Sequence, residues 1–155
     1  MDDDPSYDIC VAVVDHAAVP IDSAPVRQAV EQTLQRYSCP SARISIAVVG
    51  DARIAELNQK FLSHEGPTDV LTFNLTEGAD GLDAEIVISA ETAHRQAQQR
   101  GHQMMDELLL YAVHGTLHLL GMDDHSDEDA AAMHRLEDEI LSDLGRGPVF
   151  GGQER

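Results

Sequence analysis

Residues 104–125 read MMDELLLYAVHGTLHLLGMDDH, and this stretch decides the fold. Leu108, Leu109, Leu110, Ala112, Val113, Leu117, Leu119 and Leu120 cover nearly every face of a helix. That pattern predicts a central, buried helix rather than a surface one. His114 and His118 lie four residues apart, so at ~100° per residue they share one face and stack one turn apart. Gly121 ends the helix, because glycine takes the left-handed position after a helix at little cost. The chain reverses there and returns His125 toward the pair. Three neutral imidazoles arranged this way suit Zn²⁺, and a fourth position left open for water is the arrangement of a catalytic site. A lone histidine on an apolar helix is ordinarily a core residue. Two at this spacing, followed by a glycine and a third histidine, fit ligand spacing better. The expectation is one zinc per chain, held by His114, His118 and His125.

Outward from that helix, composition sets the limits. A chain of 155 residues with 43% hydrophobic residues is large enough for one domain with a proper core. No apolar run approaches the ~20 residues of a membrane span. The start, MDDDPSYDIC, is acidic where a secretory signal is basic and then apolar. Cys10 and Cys39 form no CxxC pair and read as buried small hydrophobes in a reducing compartment. Together these place the protein in the cytoplasm, with no membrane association. The net charge of −18 argues against broad binding to a phosphate backbone. The charge is uneven, however. Residues 26–60 carry Arg27, Arg36, Arg43, Arg53 and Lys60 against Glu31, Asp51 and Glu56, while Asp123, Asp124, Asp127, Glu128 and Asp129 form an acidic run.

In chain order, residues 1–8 read as a flexible, charged start and 9–14, ICVAVV, as a buried strand. Ser23 caps a helix that begins with Pro25 just inside and runs to about residue 37. Residues 43–49 form a second strand. Asp51 caps a helix over 52–62 that buries Ile54, Leu57, Phe61 and Leu62. Residues 70–75 and 84–89 pair as a hairpin, and Ser89 caps a helix over about 90–99. A last amphipathic helix spans roughly 127–144, its acidic first turn favourable against the helix dipole. Gly145 stops it, and 146–155 reads as a flexible tail. The predicted architecture is an α+β single domain over 9–145. In it a small mixed four-stranded sheet is packed with about five helices, one of them buried and carrying the metal ligands.

Two stretches resemble the YbeY family of bacterial metal-dependent endoribonucleases. His114 to His125, HGTLHLLGMDDH, is similar to the family's HGxLHLxGYDH, and Leu57–Asn58 through Pro67–Phe73 is similar to its LN…PTDVLSF. AEIVIS at 84–89 stands where the family commonly shows GDIVIS. The resemblance covers about residues 45–145. It implies a mixed four-stranded sheet with a zinc site, and a zinc-dependent endoribonuclease acting on single strands in ribosomal RNA maturation and small-subunit quality control. The implied partners are ribosomal RNA and small-subunit proteins. Asn58, Thr68 and Asp69 then line or brace the substrate cleft, although Thr68 and Asp69 also suit an ordinary turn into a strand.

Three departures bear on that reading. The family has one residue between the glycine and its Asp–His; here Met122 is followed by both Asp123 and Asp124, so Asp124 takes the usual ligand spacing. His125 is the expected third ligand, since the loop can absorb a residue, with Asp124 as the alternative. Leu62 stands where the family often has an arginine, which shifts any phosphate clamp to Lys60 or His64. Ala84–Glu85 replaces Gly–Asp, a milder change. Two other functions stay open. One is a non-catalytic ribosome assembly factor with a structural zinc. The other, more distant, is a zinc metalloprotease: HExxH enzymes need a glutamate after the first histidine, and this chain has Gly115 there.

Overall fold

The computed structural model describes residues 5–14, 21–63, 66, 68–78 and 81–146. The expectations placed on 1–4, on 147–155 and on His64 lie outside the described residues. Four strands and five helices follow in the order β1 (Ser6–Val13), α1 (Ser23–Arg36), β2 (Ser41–Val49), α2 (Asp51–Leu62), β3 (Val70–Asn74), β4 (Leu82–Ser89), α3 (Ala90–Arg100), α4 (Met104–Leu119) and α5 (Asp127–Asp143). The sheet order is β1-β2-β4-β3. The first two pairings are parallel, and β3 runs antiparallel to β4 as the predicted hairpin. Parallel neighbours need a crossover, which α1 and the α2–β3 segment supply.

Alternation divides the sheet into two unlike faces. Ile44, Ile46, Val48, Ile86 and Ile88 point to the side of α1 and α4 and join the main core with Leu108, Leu109, Ala112, Val113 and Leu117. On the opposite face, among the described residues, Ile54 of α2 meets Val49, Leu71 and Val87. The predicted buried side of α2 is corrected here. Ile54 and Asn58 are its buried residues, whereas Phe61 and Leu62 are 56% and 45% exposed. Its last turn stays exposed, with Phe61 meeting Phe73 of β3 edge to face.

Strand β1 begins at Ser6, earlier than the apolar run indicated, and its residues alternate exposed and half-buried as an edge strand. Cys10 accordingly faces solvent instead of the core. The cap of α1 is Asp22, whose carboxylate accepts from the Ala24 N–H at 3.1 Å. Ser89 caps α3 as expected.

Asp51 does more than start α2, which has Gly50 at its cap position. Its carboxylate accepts from Ser89 Oγ at 2.7 Å, Thr92 Oγ1 at 2.8 Å and Arg95 Nη1 at 2.5 Å, tying α2 to the β4–α3 junction. Burial raises the carboxyl pKa, but these donors more than offset that and hold it below the ordinary value. A depressed pKa gives stability that is present above the unfolded value and is lost as pH falls through the folded one. Asp51→Asn is therefore expected to cost about 1–2 kcal/mol at neutral pH, with the gap to wild type narrowing near pH 3. Urea unfolding at the two pH values measures it.

Candidate metal centre

Helix α4 touches α1, α3, α5, β3 and β4, so the imidazoles ride on the most constrained element of the fold. Leu108, Ala112, Val113 and Leu117 are fully buried behind them. Gly115 permits the close approach to the sheet. A β-carbon there would lie 3.0 Å from Thr72 Cγ2 and 3.3 Å from the Cγ2 atoms of Ile86 and Val70.

At its C-terminal end α4 closes in a paired turn. The Gly121 N–H donates to the His118 carbonyl and the Met122 N–H to the Leu117 carbonyl. Gly121 has φ +102°, a conformation that side-chain-bearing residues rarely hold. The Met122 carbonyl then lies 3.0 Å from His118 Nδ1. With the Nδ1 proton donated there, His118 Nε2 keeps its lone pair for a ligand.

His114 is oriented in the same way by a residue the sequence reading missed. Glu137 of α5 is fully buried, and its Oε2 lies 2.5 Å from His114 Nδ1. Its signal was present: a glutamate stands on the apolar stripe of α5 between Met133 and Ile140. Burial lowers the His114 pKa, but the Glu137 carboxylate, with Asp69 and Asp124 nearby, raises it further, and it ends above an ordinary histidine.

The two Nε2 atoms are 3.0 Å apart, with the rings at 85°. The structure brings Asp124, not His125, to this pair. Asp124 Oδ2 lies 3.7 Å from His114 Nε2, and Oδ1 lies 3.9 Å from His118 Nε2. His125 has an 86% exposed side chain, its N–H donates to Asp123 Oδ1, and its ring is 3.7 Å from Asp123. The reason is residue count. The turn at Gly121 delivers the third residue after it back to the helix, and His125 is the fourth.

This donor set fits a divalent ion. Tetrahedral zinc at ~2.0–2.1 Å from its ligands sets neighbouring donors roughly 3.3 Å apart, so the observed spacings need shifts well under an ångström. His114, His118 and Asp124 each offer one atom within 4.8 Å of the others. Glu137 Oε1 is buried with no hydrogen-bond partner among the described residues. A half-satisfied buried carboxylate is costly, and a cation on the far side of His114 offsets that cost. Glu137→Gln is expected to keep the fold and weaken metal binding about 10–100-fold, read by competition with a chromogenic chelator.

The other expected site residues make contacts of their own. Asn58 is 7% exposed and donates to the Gly66 carbonyl at 3.0 Å, bracing the loop between α2 and β3. Asp69 is exposed; its Oδ1 accepts from the Val70 N–H at 2.7 Å and lies 3.3 Å from Thr68 Oγ1. Its charge contributes to raising the His114 pKa, which puts it within electrostatic reach of the ligands.

Comparison with known proteins places the chain in a family. The family described as endoribonuclease YbeY matches residues 15–145. Proteins named endoribonuclease YbeY from Desulfitobacterium hafniense and Moorella thermoacetica are each 42% identical, over 67% of this chain and 73% and 74% of theirs. One from Chloroherpeton thalassium is 35% identical over 77% of this chain and 84% of its own. A solution structure of TM1509 from Thermotoga maritima shares the fold, with a TM-score of 0.58, 24% identity, and coverage of 92% of this chain and 94% of that one. The match along the greater part of the chain, at this identity, shows that it belongs to the endoribonuclease YbeY family.

Proposed function

We propose that this protein is a zinc-dependent endoribonuclease acting on ribosomal RNA in the cytoplasm, with zinc held by His114, His118 and Asp124. The carrying observation is the imidazole pair with one converging carboxylate, partly open to solvent, at side-chain exposures of 23%, 30% and 38%. Among the described residues the group has three members. Three protein ligands leave room for water or substrate, which favours a catalytic over a structural zinc. When bound, the ion supplies Lewis acidity toward a phosphoryl oxygen and a water of lowered pKa.

The chain's own residues supply the orientation. Glu137 and the Met122 carbonyl fix the two imidazoles, and Gly121 sets where Asp124 arrives. Asp69, held by the Val70 N–H and within electrostatic reach of His114, would accept the proton released as water attacks and the phosphodiester P–O bond breaks. Thr68 and Asn58 would line or brace the substrate cleft, as the family resemblance implies. Ribosomal RNA as substrate and small-subunit proteins as partners are read from the family resemblance, as is the metal's identity in part; two imidazoles and a carboxylate suit zinc. Helices long and apolar enough to cross a membrane are absent among the described residues.

Purified protein should cleave structured ribosomal RNA, stop with chelator, recover with zinc, and fall to background in His114→Ala. Cleavage that survives both chelation and His114→Ala would exclude the metal-centred reading. Zinc retained without cleavage of any RNA would favour the assembly-factor alternative.

A further inference from the structure

Three of the four exposed large hydrophobics among the described residues, Val14, Phe61 and Leu75, line one groove. It is a cavity of about 370 Å³ between the last turn of α2 and the uncovered part of the sheet. Phe61 and Phe73 meet edge to face there, with ring centroids 5.6 Å apart at 74°. Lys60 Nζ is 5.3 Å from the Phe61 ring centroid, and Arg53 lies on the rim. Glu85, directly opposite Phe73 in the β3–β4 register, places one carboxylate in an otherwise apolar lining.

We propose that this groove is a nucleobase subsite, taking one base of single-stranded RNA that bears an amino group. The inference rests on the ribonuclease reading above. Exposed aromatic rings on a sheet, next to cationic side chains, form the platform on which proteins stack unpaired bases. Phe61 supplies the ring face, and Lys60 supplies a cation for the adjoining phosphate. The Glu85 carboxylate accepts from the exocyclic amino group of cytosine or adenine, which uracil lacks. Position supports the same occupant. Strand β3 has Val70 against Gly115 beside the metal centre and Phe73 in the groove. Those residues are ~10 Å apart along the strand and project to opposite faces of the sheet; β3 is an edge strand, so an RNA strand reaching both would wrap around that edge.

The test uses the full chain, with fluorescence anisotropy on 2′-O-methyl oligonucleotides of adenosine, cytidine or uridine, and cleavage kinetics on the matching RNA. Wild type should bind the adenosine and cytidine oligonucleotides more tightly than the uridine one. Phe61→Leu keeps an apolar side chain and removes the ring; binding should weaken about 5- to 100-fold, the range for one stacked base, with KM raised and kcat kept. Glu85→Gln should remove the preference over uridine. If wild type cleaves RNA and Phe61→Leu binds equally well, the groove seats an apolar protein segment instead; the subsite is then overturned and the ribonuclease reading survives. If wild type neither cleaves nor binds RNA, both fall. Both side chains are exposed, so the variants fold.

Discussion

Asp124→Asn should lose metal and RNA cleavage together, while His125→Ala keeps both. Asp124 is the carboxylate whose two oxygens face the Nε2 atoms at 3.7 and 3.9 Å, and His125 points to solvent beside Asp123. Asparagine preserves size and removes the charge, so the loss reports ligation rather than shape. Its effect should exceed the about 10–100-fold that an outer-shell partner contributes. Elemental analysis of the two variants decides the matter. Zinc lost from His125→Ala but retained in Asp124→Asn would restore the three-histidine set. With zinc bound, the carboxylate would also change the chemistry of the centre: the ion and its ligands would carry a net charge of about +1 instead of +2, a weaker pull on an anionic phosphodiester.

Gly115→Val should destabilise the protein by roughly 2–3 kcal/mol, the upper part of the range for overpacking, and reduce activity through the same displacement. The first added carbon alone meets three methyl groups, on Thr72, Ile86 and Val70, at 3.0–3.3 Å. Two opposing terms decide the alanine variant. Alanine in place of glycine gains about 1 kcal/mol of helix propensity, which offsets much of one close contact, so Gly115→Ala should be near neutral. Valine adds two further carbons and gains less propensity, so the crowding wins. His114 precedes this residue and moves with the helix backbone. The melting temperature, taken beside zinc affinity, checks the prediction: unchanged values in Gly115→Val would mean that α4 does not need its close seat on the sheet. The glycine that argued against protease chemistry thus has its own structural reason.

Much of this was legible in the sequence because local signals agreed with one another. The Ser89 cap, the hairpin from β3 to β4, and the buried helix carrying His114 and His118 each follow from short-range patterns. The strand order did not, since nothing local tells β4 to insert between β2 and β3. Phe61 and Leu62 fall on the periodic apolar stripe of α2, yet both stay about half exposed, with Phe61 meeting the sheet edge to face at Phe73. Asp22 was overlooked because serine at 23, just before Pro25, is an equally good cap in sequence terms. The third ligand turned on one residue of loop length, which spacing rules resolve poorly when both candidates can bind metal. Glu137 required knowing which helix face meets His114.

The paired turn and the bond from Glu137 to His114 also fix when the centre can come into being. Every group that holds or orients the ion comes from residues 114–137, while the last strand ends at Ser89. A chain emerging at about 5–20 residues per second therefore finishes its sheet seconds before the site exists. Metal loading is a closing step of biogenesis, and a chain stalled anywhere before Glu137 lacks an oriented His114. For a member of an endoribonuclease family, this means that the ribosome making it meets a finished site only near the end of translation.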